Sequence, residues 1–386
     1  MARDPFYADY LDETHLAFYE LCQKFTEKEI KPHAYEWEEA ELFPVELYRK
    51  AADAGLLGAT FPEAYGGSGG DAFHSIMLTE AMLTAGSTGV VVGLGSLGIA
   101  LPPILFLGTE EQKQKFIPDV LAGKKIAALA VTEPGTGSDV SGIRTRAVLD
   151  GDHYVINGSK MFITSGVRAN QVTVLARTGD DPHGGLTFFV VDADTPGYSV
   201  SRSLKKMGWR ASDTGELVFD DVRVPVENRL GSEGSGFLAV MQNFQNERLG
   251  LACYGHASAE IALAESERYV RERQAFGRPL INFQVTRHKL ARMATLIRAS
   301  KTLNYQVARK INQGENIVEA VSEAKNFACE VALEVLDEAV QIFGGMGYMR
   351  ESIVERLYRD VRLLPIGGGT NEVMNEIIGR VRGYRS

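Results

Sequence analysis

The segments that decide the expected fold are Val131-Thr132-Glu133-Pro134-Gly135-Thr136-Gly137-Ser138-Asp139 and Lys160-Met161-Phe162-Ile163-Thr164-Ser165-Gly166. The first follows a strand-like run, 126–131, and consists mainly of small and hydroxyl residues whose backbone N–H groups can approach a flat polar ligand closely. The second is a predicted strand, in which alternation places Phe162 and Thr164 on one face. An aromatic ring two residues from a hydroxyl suits a flavin, which needs a surface to stack on and a donor near its reactive nitrogen.

The sequence pattern changes twice along the chain. Residues 1–125 show helical periodicity, residues 126–230 show short strands and turns, and residues 231–386 return to long amphipathic patterns. We therefore expect an α+β fold with an N-terminal α-helical domain (1–125), a small central β domain (126–230) and a C-terminal α-helical domain (231–386). Further strands are predicted in the central domain at 171–177, 186–191 and 216–224.

The dipeptide Asn157-Gly158 lies between two strand-like runs, 153–156 and 159–163. Asparagine followed by glycine tolerates the positive φ angles of a type I′ turn. The two runs are therefore predicted to form a β-hairpin closed by this dipeptide.

Composition narrows the class of function. The chain has 386 residues, of which 45% are apolar and 24% charged, enough for two or three globular domains. Its net charge of −9 argues against nucleic-acid binding, which needs a concentrated basic face. The cysteines lack C-x-x-C spacing and the histidines lack H-E-x-x-H spacing, so neither a disulfide framework nor a metal site is predicted. Residues 1–5 begin no apolar signal sequence, so the expected location is cytoplasmic.

Residues 81–109 contain no charged side chain and are long enough to raise the question of a membrane span. Six glycines and Pro102-Pro103 interrupt them, so buried helices of a soluble core are predicted rather than a span. The same region contains the G-x-G-x-x-G sequence 93–98. A dinucleotide site needs a preceding strand, an uninterrupted following helix and an acid about 20 residues on. The prolines would break that helix, so close helix packing is predicted instead.

The two opening segments, in this order and spacing, resemble the acyl-CoA dehydrogenase family, and the resemblance extends from about Leu11 to the C-terminus. It implies FAD-dependent α,β-dehydrogenation of an acyl-CoA thioester to trans-2-enoyl-CoA, with hydride transfer to flavin N5. It also implies a C-terminal four-helix bundle and a homotetramer built as a dimer of dimers. The electron acceptor it implies is an electron-transfer flavoprotein.

Most members of that family carry the base as a glutamate in a C-terminal Tyr-Glu-Gly-Thr motif, where this chain has Gly368. Another glutamate, Glu247, lies on an otherwise apolar or weakly polar stripe of a predicted helix. Loss of solvation there is expected to raise its pKa, which suits a base that removes a weakly acidic carbon proton. Spacing alone favours a partly buried glutamate paired with an arginine, and the resemblance reverses that preference. The stripe consists of Val240, Phe244, Glu247, Leu251, Tyr254 and Ser258.

Two branches of the family, the long-chain and isovaleryl-CoA branches, carry the base on this helix before Arg-Leu. Glu247-Arg248-Leu249 matches that context, and both branches have a small residue at the C-terminal position. Phe162, where tryptophan is commoner, and the sequence Gly368-Gly369-Thr370-Asn371-Glu372 are more similar to the long-chain branch.

The resemblance also assigns cofactor and substrate contacts. Arg273 would present its planar fork to the FAD pyrophosphate across a subunit interface, and Arg248 fits either a substrate contact or an ion partner of Glu247. The predicted cofactor contacts are Val131, Thr132, Gly137, Ser138, Phe162, Ile163, Thr164, Arg273, Phe276, Gln284, Gln341, Gly344, Gly345, Thr370 and Glu372. The predicted substrate contacts are Ser138, Gln245, Asn246, Arg248, Gly368 and Gly369.

The expected reaction has the acyl carbonyl held by a flavin ribityl hydroxyl and the Gly368 N–H while Glu247 removes the α proton. Small residues between Gly86 and Gly98 favour medium-to-long or branched acyl chains. Two alternatives stay open. One is an acyl-CoA oxidase that passes electrons to oxygen, and the other is a non-catalytic acyl-CoA or FAD-binding assembly protein that kept the fold.

Overall fold

Helices occupy the chain before the first strand in the computed structural model, which describes residues 4–384; residues 1–3, part of the N-terminal segment considered above, and residues 385–386 lie outside it. Polar residues begin several of the helices, and Asp71, for example, accepts hydrogen bonds from the N–H groups of Phe73 and His74. The helices are α1 Glu13–Phe25, α2 Ala34–Ala40, α3 Glu46–Asp53, α4 Ala72–Leu83, α5 Thr88–Gly95, α6 Leu97–Ala100, α7 Pro102–Leu107, α8 Glu110–Phe116 and α9 Pro118–Leu121.

A mixed sheet follows, with strand order β6-β7-β3-β2-β4-β5-β8 and β1 added parallel to β4. The three strands predicted at 171–177, 186–191 and 216–224 are confirmed, because β4, β5 and β7 cover them. The strands are β1 Ala127–Ala130, β2 Arg146–Asp150, β3 His153–Thr164, β4 Gln171–Arg177, β5 Leu186–Asp192, β6 Tyr198–Ser203, β7 Thr214–Pro225 and β8 Arg229–Leu230.

The predicted hairpin at Asn157-Gly158 is wrong, since β3 runs continuously through this dipeptide. β3 pairs with β2 on one side and β7 on the other, and Gly158 lies at a bulge opposite β7 with φ +150. A Cβ at Gly158 would be 2.5 Å from Thr145 Oγ1, so glycine serves a close approach here. The chain reverses instead at Gly151, where φ is +64 and the flanking residues of β2 and β3 pair.

Long helices form the C-terminal part, in which α10 packs along α11 and α12. The observed order of helices, sheet and helices confirms the predicted α+β class. Gly344, in the C-cap position of α12, has φ +58, a backbone conformation that favours glycine. The elements are α10 Gly236–Glu272, β9 Gln274–Ala275, β10 Arg278–Pro279, α11 Gln284–Asn312, α12 Val318–Phe343, α13 Ile353–Val361 and α14 Asn371–Val381.

The uncharged stretch forms α5, α6 and α7. Thr88–Leu107 is long and apolar enough to cross a membrane by length and composition, and 67% of its apolar window is buried in the protein, as in a core helix. The G-x-G-x-x-G sequence follows helical residues of α5 instead of a strand. A Cβ at Gly93 would lie 2.4 Å from a ring carbon of Phe43, so this glycine permits close packing, as predicted.

Candidate active site

A cavity of about 560 Å³ lies between α4, the α5–α7 segment and α10. This is within the range of about 300–1,000 Å³ that small-molecule sites usually have. Its wall includes Thr164 from β3, Trp209 from the loop before β7 and Glu247 from α10. The predicted flavin contact Thr164, the loop residue Trp209 and the predicted base Glu247 therefore line the same cavity.

The stripe predicted on α10 is present, since Val240, Leu251 and Ser258 are buried and Glu247 faces the cavity. Burial raises the pKa of Glu247 to about 7, and the positive charges of Arg248 and Lys325 oppose that rise. No lysine or arginine nitrogen within residues 4–384 lies within 4.0 Å of the Glu247 carboxylate. An ion pair with Arg248 is therefore not its role, and the carboxyl group is able to exchange a proton near neutral pH.

Gly368 lies directly beside Glu247. Its φ is +64, and a Cβ built there would be 3.8 Å from the carboxyl carbon of Glu247 and 2.4 Å from Leu251 Cδ1. A side chain at residue 368 would consequently compete with Leu251 and would point toward the space that the Glu247 carboxyl occupies. The sequence suggested that the base is a glutamate at position 247, in place of the family's usual glutamate at position 368. In the structure these two positions are neighbours.

Two cations hold the loop that contains Gly368. Arg248 Nε donates to the carbonyl oxygen of Gly368 at 3.2 Å, and Lys325 Nζ donates to that of Gly369 at 2.6 Å. The Thr370 hydroxyl accepts from the Val373 N–H and so begins α14. Within the described residues the Gly368 N–H has no hydrogen-bond partner, which leaves it free to bind a substrate carbonyl.

Sequence reasoning missed Lys325. It is fully buried on α12, and α12 residues at helical spacing from it, including Val321 and Cys329, are buried as well. A lysine on the apolar face of a helix was the available signal, and it is the same signal that identified Glu247.

The two opening segments lie side by side. The Met161 N–H donates to the Thr132 carbonyl at 2.8 Å, and Phe162 is 63% exposed, so its ring is available for stacking. The backbone of Phe162 has φ +62 and lies at a bulge between Lys160 and Ile163. The bulge leaves both Lys160 and Ile163 buried, while Phe162 and Thr164, on either side of Ile163, are more exposed. The exposed ring and the open loop fit a flavin.

A buried ion pair connects these two segments. Lys160 Nζ donates to Glu133 Oε1 and to the Val131 carbonyl, both at 2.9 Å. Glu133 also accepts from the N–H groups of Arg144 and Thr145. Burial lowers the pKa of Lys160 to about 8. The pair was not predicted, because Glu133 and Lys160 are distant in sequence and charged residues are usually exposed.

A further group of predicted cofactor contacts lies between the end of α10 and the start of α11, and at the end of α12. Tyr269, one turn before Arg273, stacks on Phe343 with ring centroids 4.2 Å apart, so the end of α10 packs against the end of α12. Phe276 is 95% exposed with φ +52. Among residues 4–384 no hydrogen bond joins this group to the Phe162 region, and its proposed contact is with the flavin of another subunit. The group consists of Arg273, Phe276, Gln284, Gln341, Gly344 and Gly345.

Of the other predicted contacts, Asn246 lines the cavity, while Gln245, Gly137, Ser138 and Glu372 are not among its lining residues. Asn246 lines it beside Glu247, whereas Gln245 is half-buried on the same helix. Gly137 and Ser138 are exposed on the loop after β1, and Glu372 lies in the first turn of α14.

Two clusters bring histidine and acidic side chains within 4.8 Å of one another. Their ligand atoms already have partners, since His15 Nε2 lies 3.0 Å from Asp71 Oδ1 and Lys301 binds Glu80 at 3.0 Å. We therefore propose no metal at either cluster. The clusters are His15, Asp71 and His74, and Glu80, His256 and Glu260.

Family models cover nearly all of the chain. The model described as acyl-CoA dehydrogenase, N-terminal domain, matches residues 12–124, the middle-domain model matches 128–222 and the C-terminal-domain model matches 234–382. The long-chain specific acyl-CoA dehydrogenase of Mus musculus mitochondria is 40% identical over 95% of this chain and 86% of that protein. The short-chain specific acyl-CoA dehydrogenase of Clostridium acetobutylicum is 40% identical over 93% of this chain and 95% of that protein.

Solved structures agree with these relatives. A probable acyl-CoA dehydrogenase from Mycobacterium abscessus superposes with a TM-score of 0.95 at 51% identity, covering 97% of this chain and 100% of that one. A glutaryl-CoA dehydrogenase from Mycobacterium smegmatis in complex with FADH2 superposes with a TM-score of 0.92 at 29% identity, covering 98% of this chain and 97% of that one.

Proposed function

Because the chain belongs to the acyl-CoA dehydrogenase family, whose members are oxidoreductases acting on CH–CH bonds, we propose that Glu247 is the base of an FAD-dependent reaction that converts an acyl-CoA thioester to trans-2-enoyl-CoA. One observation carries this assignment. The Glu247 carboxyl lines the cavity, lies beside Gly368 and has a pKa raised by burial to about 7.

FAD is the proposed cofactor, and the M. smegmatis relative that contains FADH2 supports it. In this chain Phe162 would lie against the ring system, Thr164 and the loop 131–138 would hold its polar edge, and Thr370 and Glu372 would contact it from α14. Arg273 and Gln284 would bind the ADP portion from another subunit. When bound, the flavin accepts the β hydrogen together with its electron pair.

Glu247 takes the α proton onto its carboxylate while the negative charge that develops moves toward the thioester oxygen. The unpartnered N–H of Gly368 donates to that oxygen and stabilises the charge. A base with a pKa of about 7 is partly ionised at neutral pH, and it binds a proton more strongly than an exposed glutamate does. A thioester that fills the cavity would displace water from the apolar wall beside the reacting carbons.

The acyl group is proposed to be medium-to-long or branched. The cavity volume and the open space beside Gly98, where a Cβ would meet no atom within 4 Å, support this choice. The long-chain mouse enzyme and the short-chain Clostridium enzyme are equally similar to this chain, so the relatives favour neither length.

The proposed partners are an electron-transfer flavoprotein and three further copies of the chain, arranged as a dimer of dimers. Exposed apolar side chains where α11 begins, Phe276 at 95% and Val285 at 62%, support a subunit contact there. The proposed location is the cytoplasm, with no membrane span.

The test is anaerobic bleaching of the purified yellow protein by a panel of acyl-CoA thioesters from four to eighteen carbons. Bleaching by the longer or branched thioesters, with an enoyl-CoA product found by mass spectrometry, is the expected result. Rapid reoxidation in air would indicate the oxidase alternative. Failure of every thioester to bleach a flavin-loaded protein would contradict the proposed reaction and favour the assembly-protein alternative.

A further inference from the structure

Lys325 differs from the other buried lysines in having no acidic partner. Lys160 is paired with Glu133 at 2.9 Å, and Lys301 with Glu80 at 3.0 Å. Lys325 is equally buried, but no carboxylate of the described chain lies within 4.0 Å of its nitrogen. Buried cations are usually ion-paired, so an unpaired one needs another explanation.

The contacts of Lys325 provide that explanation. Its Nζ donates to the Gly369 carbonyl at 2.6 Å, while Arg248 Nε donates to the Gly368 carbonyl at 3.2 Å. Two consecutive carbonyl groups are thus fixed by two cations that come from different helices. Each carbonyl belongs to the planar peptide unit that follows its residue, so these contacts fix the peptide planes on the C-terminal side of Gly368 and Gly369. The Gly368 N–H precedes the first of these planes, and the φ and ψ rotations of Gly368 are the only backbone rotations between them.

The charges of the two cations also act on Glu247. The charged or titratable groups that influence this region are Glu247, Arg248 and Tyr254 on α10, Lys325 and Cys329 on α12, and Glu372 on α14. When Glu247 takes a proton, its negative charge is replaced by charge on the thioester oxygen beside Gly368. The two cations therefore lie near one negative charge both before and after the proton transfer. Before the transfer that charge is on Glu247, and the cations favour its ionised form.

We propose that Lys325 and Arg248 are positioning residues for proton abstraction, which hold the Gly368 N–H toward the substrate carbonyl and favour the ionised form of Glu247. This proposal rests on the proposed function. It adds a residue of α12 to the machinery of the reaction, although Lys325 does not line the cavity.

Two variants separate the two effects. Lys325→Met removes both the donor and the charge, whereas Lys325→Gln keeps a donor for the Gly369 carbonyl and removes only the charge. The matched control is Lys310→Met, which removes a half-exposed lysine, paired with Glu315, at the far end of α11. The first measurement is the rate of flavin reduction by a bleaching acyl-CoA as a function of pH in holoenzyme. The second, independent of turnover, is amide hydrogen exchange in residues 363–374.

Ionisation of the base makes the rate rise with pH, and loss of a nearby positive charge moves that rise to higher pH. Both Lys325 variants are expected to shift it upward by about one pH unit. Lys325→Met is also expected to lower the plateau rate about tenfold, less than the about 10²–10³-fold typical of losing an oxyanion donor outright. Exchange in residues 363–374 should accelerate in Lys325→Met and stay close to the parent in Lys325→Gln.

A parent-like pH profile in a folded Lys325→Gln protein would overturn the electrostatic part, and parent-like exchange in Lys325→Met would overturn the positioning part. If Lys325→Met does not fold, Lys325→Gln and Lys325→Arg decide. The proposal then requires a shifted profile in the first and a parent-like profile in the second. Failure of the base assignment is recognised separately, because Glu247→Gln would then bleach at the parent rate.

Discussion

Replacing Glu247 by glutamine is expected to stabilise the protein increasingly as the pH rises. A carboxyl group whose pKa is raised on folding destabilises the folded state when the group is ionised. Its cost is small below the unfolded pKa of 4.5 and grows as the pH rises toward the folded pKa of about 7. Glutamine has nearly the same shape and does not titrate, so the variant lacks this cost.

The magnitude follows from the two pKa values. Proton linkage makes the Glu247 carboxyl cost about 1 kcal/mol of folding free energy at pH 5 and about 3 kcal/mol at pH 8. Access of water from the cavity reduces both figures. We therefore expect the stability difference between Glu247→Gln and the parent to increase by about 2 kcal/mol between pH 5 and pH 8.

The assay is urea unfolding of the two holoproteins at pH 5, 6, 7 and 8, followed by circular dichroism. Glu267→Gln is the control, since it changes an exposed glutamate of the same helix. A stability difference that stays constant or decreases as the pH rises would refute the argument that Glu247 is ionised against its surroundings.

Three further changes test other parts of the site. Gly368→Ala should lower the unfolding free energy by about 2–4 kcal/mol, because φ at this position is +64 and the added Cβ would lie 2.4 Å from Leu251. Adding Leu251→Ala should recover part of this loss in urea titrations, and no recovery would exclude the clash. Lys160→Met should lower the free energy of unfolding by about 3–5 kcal/mol in thermal or urea unfolding and reduce flavin content, because Glu133 stays buried without its cation. Parent-like stability would show that the ion pair is dispensable. Phe162→Ala should change stability by less than about 1 kcal/mol, since the side chain is largely exposed. It should weaken FAD binding about tenfold in a fluorescence titration, and an unchanged FAD affinity would show that Phe162 is not part of the flavin site.

The parts of the fold that sequence predicted well depend on local patterns. The stripe containing Glu247 repeats at helical spacing along a 37-residue helix, so tertiary contacts did not have to be known to find it. Strands β4 and β5 are buried almost throughout and appear as apolar runs in the sequence.

The parts that sequence did not predict depend on distant partners. Asn157-Gly158 has the composition of a hairpin turn, but β3 is held straight by β7 on the far side, so the dipeptide forms a bulge. The bulge at Phe162 likewise depends on pairing with β7. Lys325 acquires its role only when Gly369 packs against α12, a contact between residues 44 positions apart.

The central claim is that Glu247 removes the α proton of a thioester that lies between it and the flavin. Its most direct test is stopped-flow reduction of the flavin in Glu247→Gln by the acyl-CoA that best bleaches the parent. Reduction is expected to slow by at least about 10²-fold while FAD content and thioester binding remain at parent levels. Reduction at the parent rate by a correctly folded, flavin-loaded Glu247→Gln protein would contradict this claim.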